Sequence, residues 1–279
     1  FHGLCVPTRQ AGLGADFVTY ALVAEERGRH CGATALTFNM HTATCLLAGP
    51  IADELGLTGD DLALLDAGRT LLFDGVIGGH KLHSQPFSEG LSGRATTGVA
   101  TVAKPVDGGF RITGKKIFAS LSDAADMHNV VALVPGDDRI RLFGVPKGAE
   151  GLTITGDWDP LGMRGTISRT LLLDEVFVPA DNEWVPAGVF DQVAHRYPWF
   201  YMTLSFAYLG LMRGVLDFTQ SYLRGEIDGT PRGDKPQKQH VWSEMLLTYD
   251  RARAVTYQVL DRVRIDPHVD DVRLAWTAM

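Results

Sequence analysis

The 279-residue chain sets 26 Lys and Arg against 33 Asp and Glu, a formal net charge of −7, and 45% of its residues are hydrophobic. That share can bury more than one compact unit, while the acidic balance argues against a phosphate-backbone partner, so no nucleic-acid role is expected. No apolar run reaches the roughly eighteen residues of a membrane helix, and three cysteines without paired spacing, Cys5, Cys31 and Cys45, read as reduced residues of a cytoplasmic protein.

In chain order, Phe1-His2-Gly3-Leu4 has no signal-peptide pattern. After the Gly12-Leu13-Gly14 turn, Asp16 is placed to cap a helix through Phe17, Leu22 and Glu25-Glu26. A second helix, 33–48, is apolar nearly all round and should be buried, with Pro50 just beyond it. A third, 60–73, carries Leu62, Leu64, Leu65, Leu71 and Leu72. The pattern then changes: 97–103 reads as a strand, Asp107-Gly108-Gly109 as a hairpin turn, and 110–118 as an alternating strand with Lys115 and Lys116 on the hairpin surface. Strands over 129–134, 140–145, 152–154 and 170–178 follow, with a turn at Gly136-Asp137-Asp138 and Pro179 closing the run. Short strands between Gly, Asp and Pro turns, without intervening helices, predict a small sandwich or barrel rather than a doubly wound sheet. Helices return from Phe190; 200–223 is long and apolar, and a Gly/Pro/Lys-rich loop, 225–236, separates it from 239–263. The last residues, Ala275 to Met279, continue a helical pattern without a stop signal, so both ends read as cut from a longer chain. The expected fold class is α+β: an N-terminal α-helical domain (1–84), a middle β-barrel or sandwich domain (85–184) and a C-terminal helical bundle (185–279).

This order and several segments resemble the acyl-CoA dehydrogenase family over nearly the whole chain. Leu161-Gly162-Met163-Arg164-Gly165-Thr166-Ile167-Ser168, running into Leu173-Asp174-Glu175-Val176-Phe177-Val178-Pro179, is similar to the family's LGxRGS…FDxVxVP block. Ile112 to Ser120, with Ala125-Asp126, resembles LNGxKxWIT…AD, and Ser88-Glu89-Gly90-Leu91-Ser92-Gly93 resembles TEPxxGS. Val6-Pro7, Gly12-Leu13-Gly14 and Glu25-Glu26 resemble the N-terminal VPxxxGGxG…EE, and Leu209-Gly210 with Asp217 and Tyr222 resembles the long C-terminal helix. The resemblance implies FAD, which takes a hydride from Cβ of an acyl-CoA thioester while a carboxylate removes the Cα proton. It also implies a homo-oligomer, dimer or tetramer, with an electron-transfer flavoprotein as an electron acceptor.

The same resemblance suggests site residues. Phe118-Ala119-Ser120 stands at WIT, where the aromatic packs beside the flavin and the hydroxyl bonds the ring; taken alone, it reads as a strand end with a buried Phe and a turn serine. Phe87 and Ser88 stand against the flavin's pyrimidine edge, or in an ordinary loop. Gly93 and Arg94 stand near the CoA pantetheine and phosphates, with Arg94 either a phosphate ligand or a solvated charge. Phe200 and Tyr201, with the 33–48 helix, line the acyl pocket. Arg164 is expected to bond neighbouring backbone or a partner subunit, and Glu25-Glu26 to form a solvated or ion-paired face. Arg224 and Arg232 are alternatives for the flavin diphosphate. His80 and His83 lack a third spaced ligand, so no metal is expected.

The catalytic base is unknown. Family members place it either on the long helix, where Phe200 stands and cannot abstract a proton, or in a segment beyond Met279. Three roles therefore stay open: an FAD-dependent acyl-CoA dehydrogenase, a flavin-dependent monooxygenase on the same fold, and a non-catalytic subunit of a hetero-oligomer.

Overall fold

The structure, a computed structural model, describes residues 2–90 and 98–279. Asp16 caps α1 (Phe17–His30) as its position predicts, accepting from the Thr19 N–H at 2.8 Å. The buried face of α1 is Phe17, Tyr20, Ala21, Ala24 and Gly28, a helical stripe. α2 (Gly32–Leu46) is buried on every side through its second half, as its composition predicts. The chain does not stop at Pro50. It passes through a widened turn, Leu47–Ile51, in which Gly49 leaves helical geometry, into the single-turn α3 (Ala52–Glu54). Proline has no N–H for a regular turn, and the wider ring accommodates it. α4 (Gly59–Ile77) completes this helical layer.

Eight strands follow: β1 (His83–Ser84), β2 (Val102–Val106), β3 (Gly109–Ala119), β4 (Met127–Val134), β5 (Asp137–Pro146), β6 (Leu152–Thr155), β7 (Arg169–Pro179) and β8 (Glu183–Val185). Their order is β6-β7-β3-β2-β4-β5-β8, with β1 alongside β4. Among the described residues, the two halves of this sheet join at the parallel pair Val102 and Leu133. Ala103, Ile112, Leu173, Val176 and Val178 from one half meet Val130, Ala132, Phe143 and Val145 from the other in a closed core. Met127, Val131, Leu142 and Trp184 belong instead to the helical core. The strand expected at 97–103 begins only at Val102. Ahead of it, the Ala100 and Thr101 N–H groups donate to the Glu89 carboxylate at 2.6 and 3.2 Å rather than to a neighbouring strand.

α5 (Val189–Arg196), α6 (Thr203–Arg224), α7 (Pro236–Leu260) and α8 (Val269–Ala278) complete the molecule. α6 crosses α1 at backbone distance: a Cβ on Gly210 would overlap the Glu25 carbonyl, and one on Gly28 the Ala207 carbonyl. The Tyr20 hydroxyl donates to the Thr203 carbonyl at 2.9 Å beside this crossing. Among the described residues, no helix is long and apolar enough to cross a membrane.

Candidate active site

The centre of the site is a slip in the β3–β7 ladder. The register breaks between Lys116 and Ala119, and Phe118 takes a left-handed φ of +52°. Its ring is left 60% exposed, edge-on to Trp158 with centroids 6.1 Å apart. Trp158 is held by donation from its Nε1–H to the Met163 carbonyl at 3.1 Å. Ala119 is buried, and the chain turns back as the Ser120 N–H donates to the Phe118 carbonyl. The Leu121 N–H donates to the Thr166 carbonyl, and the Ser122 hydroxyl to the Ile167 carbonyl at 2.7 Å. These bonds fix the turn to the 161–168 block, which itself packs on the start of α2 through Gly165 and Ala33. Ser120 Oγ lies 2.8 Å from Ser168 Oγ, and Ser168 Oγ lies 2.7 Å from Thr166 Oγ1. Thr166 Oγ1 donates to the Met163 carbonyl at 2.8 Å. Arg164, expected to bond neighbouring backbone or a partner subunit, pairs with the Asp159 carboxylate at 2.9 Å and is exposed.

The segment from Gln85 to Gly90 reaches this turn through the Ser88 carbonyl, which accepts from the Ile117 N–H at 2.7 Å. Lys116 corrects the sequence reading: it is fully buried, not on the hairpin surface. Its ammonium donates to Glu89 and, at 2.7 Å, to the Val131 carbonyl. Burial pulls the ammonium down to about 8, with Glu89 pulling the other way. The Glu89 carboxyl is held below its usual range: burial alone would raise it, but the Lys116 and Thr101 donors outweigh that. Strand parity carries this signal, because Ile112, Gly114 and Lys116 share one face of β3. The same segment leaves the Gln85 side-chain amide nitrogen buried without a partner among the described residues.

Four aromatic residues form a chain beside it. Phe87 lies edge-on to Phe190 at 5.6 Å, Phe190 to Phe200 at 6.3 Å, and Phe200 to Tyr201 at 6.4 Å. The structure therefore brings Phe87, expected at the flavin, together with Phe200 and Tyr201, expected at the acyl pocket, and adds Phe190. Burial, and then the Asp191 carboxylate, raise the Tyr201 phenol. Gly93 and Arg94 lie outside the described residues.

Other residues singled out in the sequence have partners of their own. Arg232 pairs with Asp228 at 2.6 Å and lies over the Tyr222 ring, while Arg224 faces Glu226 at 3.7 Å. Glu25 accepts from Tyr257 at 2.7 Å and from Arg253 at 3.1 Å, a paired group. His83 is buried against Trp184 and bonds Asn129. Among the described residues, no cluster of three or more His, Cys, Asp or Glu could hold a metal. All three cysteines are free.

The N-terminal domain model of acyl-CoA dehydrogenase matches residues 1–53, and the middle-domain model matches 85–176, together more than half of the chain. Mitochondrial isovaleryl-CoA dehydrogenase of Arabidopsis thaliana is 26% identical over 95% of the chain, which spans 64% of that relative's length. Among solved structures, TdsC of Paenibacillus sp. A11-2, a dibenzothiophene monooxygenase bound to FMN and indole, superposes with a TM-score of 0.78 at 21% identity, covering 99% of this chain and 72% of TdsC. Butyryl-CoA dehydrogenase of Megasphaera elsdenii gives 0.70 at 22% identity, covering 99% and 73%. The family's segments and the fold they build are both present here, and the chain belongs to the acyl-CoA dehydrogenase family.

Proposed function

We propose that the protein is a flavin-dependent oxidoreductase that binds FAD across the Phe118–Ser120 turn and dehydrogenates an acyl-CoA thioester between Cα and Cβ. The observation that carries this reading is the bulge itself. A large ring stands exposed beside a buried hydroxyl, 60% against 6%, and a planar, apolar heterocycle with polar edge atoms fits that pair. The unpartnered Gln85 amide, two residues from Phe87, offers a further donor for such an edge. The flavin supplies the redox chemistry when bound. Phe118 would pack beside its ring, the Ser120 hydroxyl would bond a ring heteroatom, and Phe87 and Ser88 would stand at its pyrimidine edge. Phe200 and Tyr201 shape the substrate end, and Gly93 and Arg94 hold the CoA portion. Assembly as a homo-oligomer and electron delivery to an electron-transfer flavoprotein belong to the same reading.

A second reading, a flavin monooxygenase, is favoured by the aromatic chain. Dehydrogenation needs a carboxylate in reach of Cα, and Phe200 and Tyr201 supply none. The test is a visible spectrum of the full-length protein, followed by anaerobic addition of acyl-CoA thioesters. Bleaching of a yellow protein by a thioester is the expected outcome. A yellow protein that stays oxidised, but consumes oxygen after chemical reduction, supports the monooxygenase. A protein colourless even with added FAD or FMN removes both.

A further inference from the structure

Three buried hydroxyls lie in a row, at 6% exposure for Ser120, 6% for Ser168 and 1% for Thr166. Each hydroxyl has one proton to give, and the row ends on a carbonyl that can only accept. Thr166 gives its proton to the Met163 carbonyl. With that bond made, it accepts from Ser168, and Ser168, its proton spent, accepts from Ser120. The direction follows from the end of the row, and burial leaves no bulk water to reverse it. Reversal would break the Thr166 bond to Met163. The turn that carries Ser120 is fixed by the Leu121 and Ser122 bonds to Thr166 and Ile167, so the hydroxyl does not drift out of the row.

We propose that Ser168 and Thr166 are positioning residues that commit the Ser120 proton inward, so that Ser120 presents only lone pairs to a bound flavin. This rests on the flavin reading above. The ring nitrogens that take up hydrogen on reduction are bare in the oxidised flavin and want a donor; in the reduced flavin they carry N–H and want an acceptor. An acceptor-only hydroxyl favours the reduced form. The row thus raises the midpoint potential of the bound flavin without either outer residue touching it.

The experiment is a reductive titration of the full-length, flavin-loaded protein with dithionite against a redox dye, in wild type, Ser168→Ala, Thr166→Val and Ser168→Thr. In Ser168→Ala the Ser120 hydroxyl is free to turn and donate outward. The preference for reduced over oxidised flavin should fall about tenfold, a drop of about 30 mV for a two-electron couple. Thr166→Val should move the potential the same way by a similar amount, and Ser168→Thr, which keeps the hydroxyl, should restore the wild-type value. Flavin that binds normally in Ser168→Ala and Thr166→Val with an unchanged or raised potential overturns the relay and leaves the flavin reading standing. Wild-type protein that binds neither FAD nor FMN overturns both.

Discussion

Removing one member of the Glu89–Lys116 pair does not equal removing the other. Glu89 keeps three donors when the ammonium is lost, namely the Ala100 and Thr101 N–H groups and the Thr101 hydroxyl. Lys116 would keep only the Val131 carbonyl. Glu89→Leu should therefore cost about 3–5 kcal/mol, the range for a buried charge left unpaired, and Lys116→Met distinctly less. Urea midpoints for the two variants decide this, and equal losses would count against it. Phe118→Ala tests the opposite kind of residue. Its ring is mostly in solvent, so stability should stay within about 0.5 kcal/mol of wild type, while flavin affinity falls about tenfold, the order of one aromatic contact. FAD titration of the apoprotein, beside the same urea curve, separates the two effects. At this scale the sequence was only partly legible. Phe87, Phe118, Ser120 and Phe200 could be named because they stand in or beside recognisable segments. Lys116 was misplaced because two adjacent lysines suggest a surface, although strand parity puts one of them inside. The contact between Ser120 and Ser168 was invisible, since hydroxyls 48 positions apart meet only once two loops are folded together.

Helices and strands were legible where their period was strong, and their limits failed where a side chain replaced the ladder. The Asp16 cap, β3 and β7 fall close to their expected places because alternation and capping are local. The start of β2 does not, because a distant carboxylate takes the backbone N–H groups ahead of it. Leu209-Gly210, recognisable only as a pattern in the sequence, has a physical cause in the crossing of α1 and α6. Gly210→Ala would drive a methyl group into the Glu25 carbonyl. Separating the two helices to admit it should destabilise the protein by about 1–3 kcal/mol. A thermal melt unchanged from wild type would show that α6 can shift without loss.

The whole molecule should be acid-sensitive well above the carboxylate range. His83 and His128 are buried, and burial pulls them from 6.5 to about 3 and about 4. Between those values the unfolded chain holds protons that the folded one refuses, so stability falls as pH drops below about 6.5, at about 1.4 kcal/mol per unit for each histidine. Urea midpoints measured from pH 7 to 4.5 should show that slope, and His83→Gln should reduce it by about 1.4 kcal/mol per unit; a flat profile would sink the assignment. The α–β–α order was legible at this scale because composition changes twice along the chain. How the sheet closes was not, since its halves share one pair of residues. Phe118 finally sets the protein's tolerance to selection. A side chain held at φ +52° costs about 1–2 kcal/mol that glycine would not. Phe118→Gly should therefore melt higher than wild type while losing its ring. Any screen for expression or heat resistance alone will enrich this change, and the lineage it favours will be sturdier and hold its flavin less tightly.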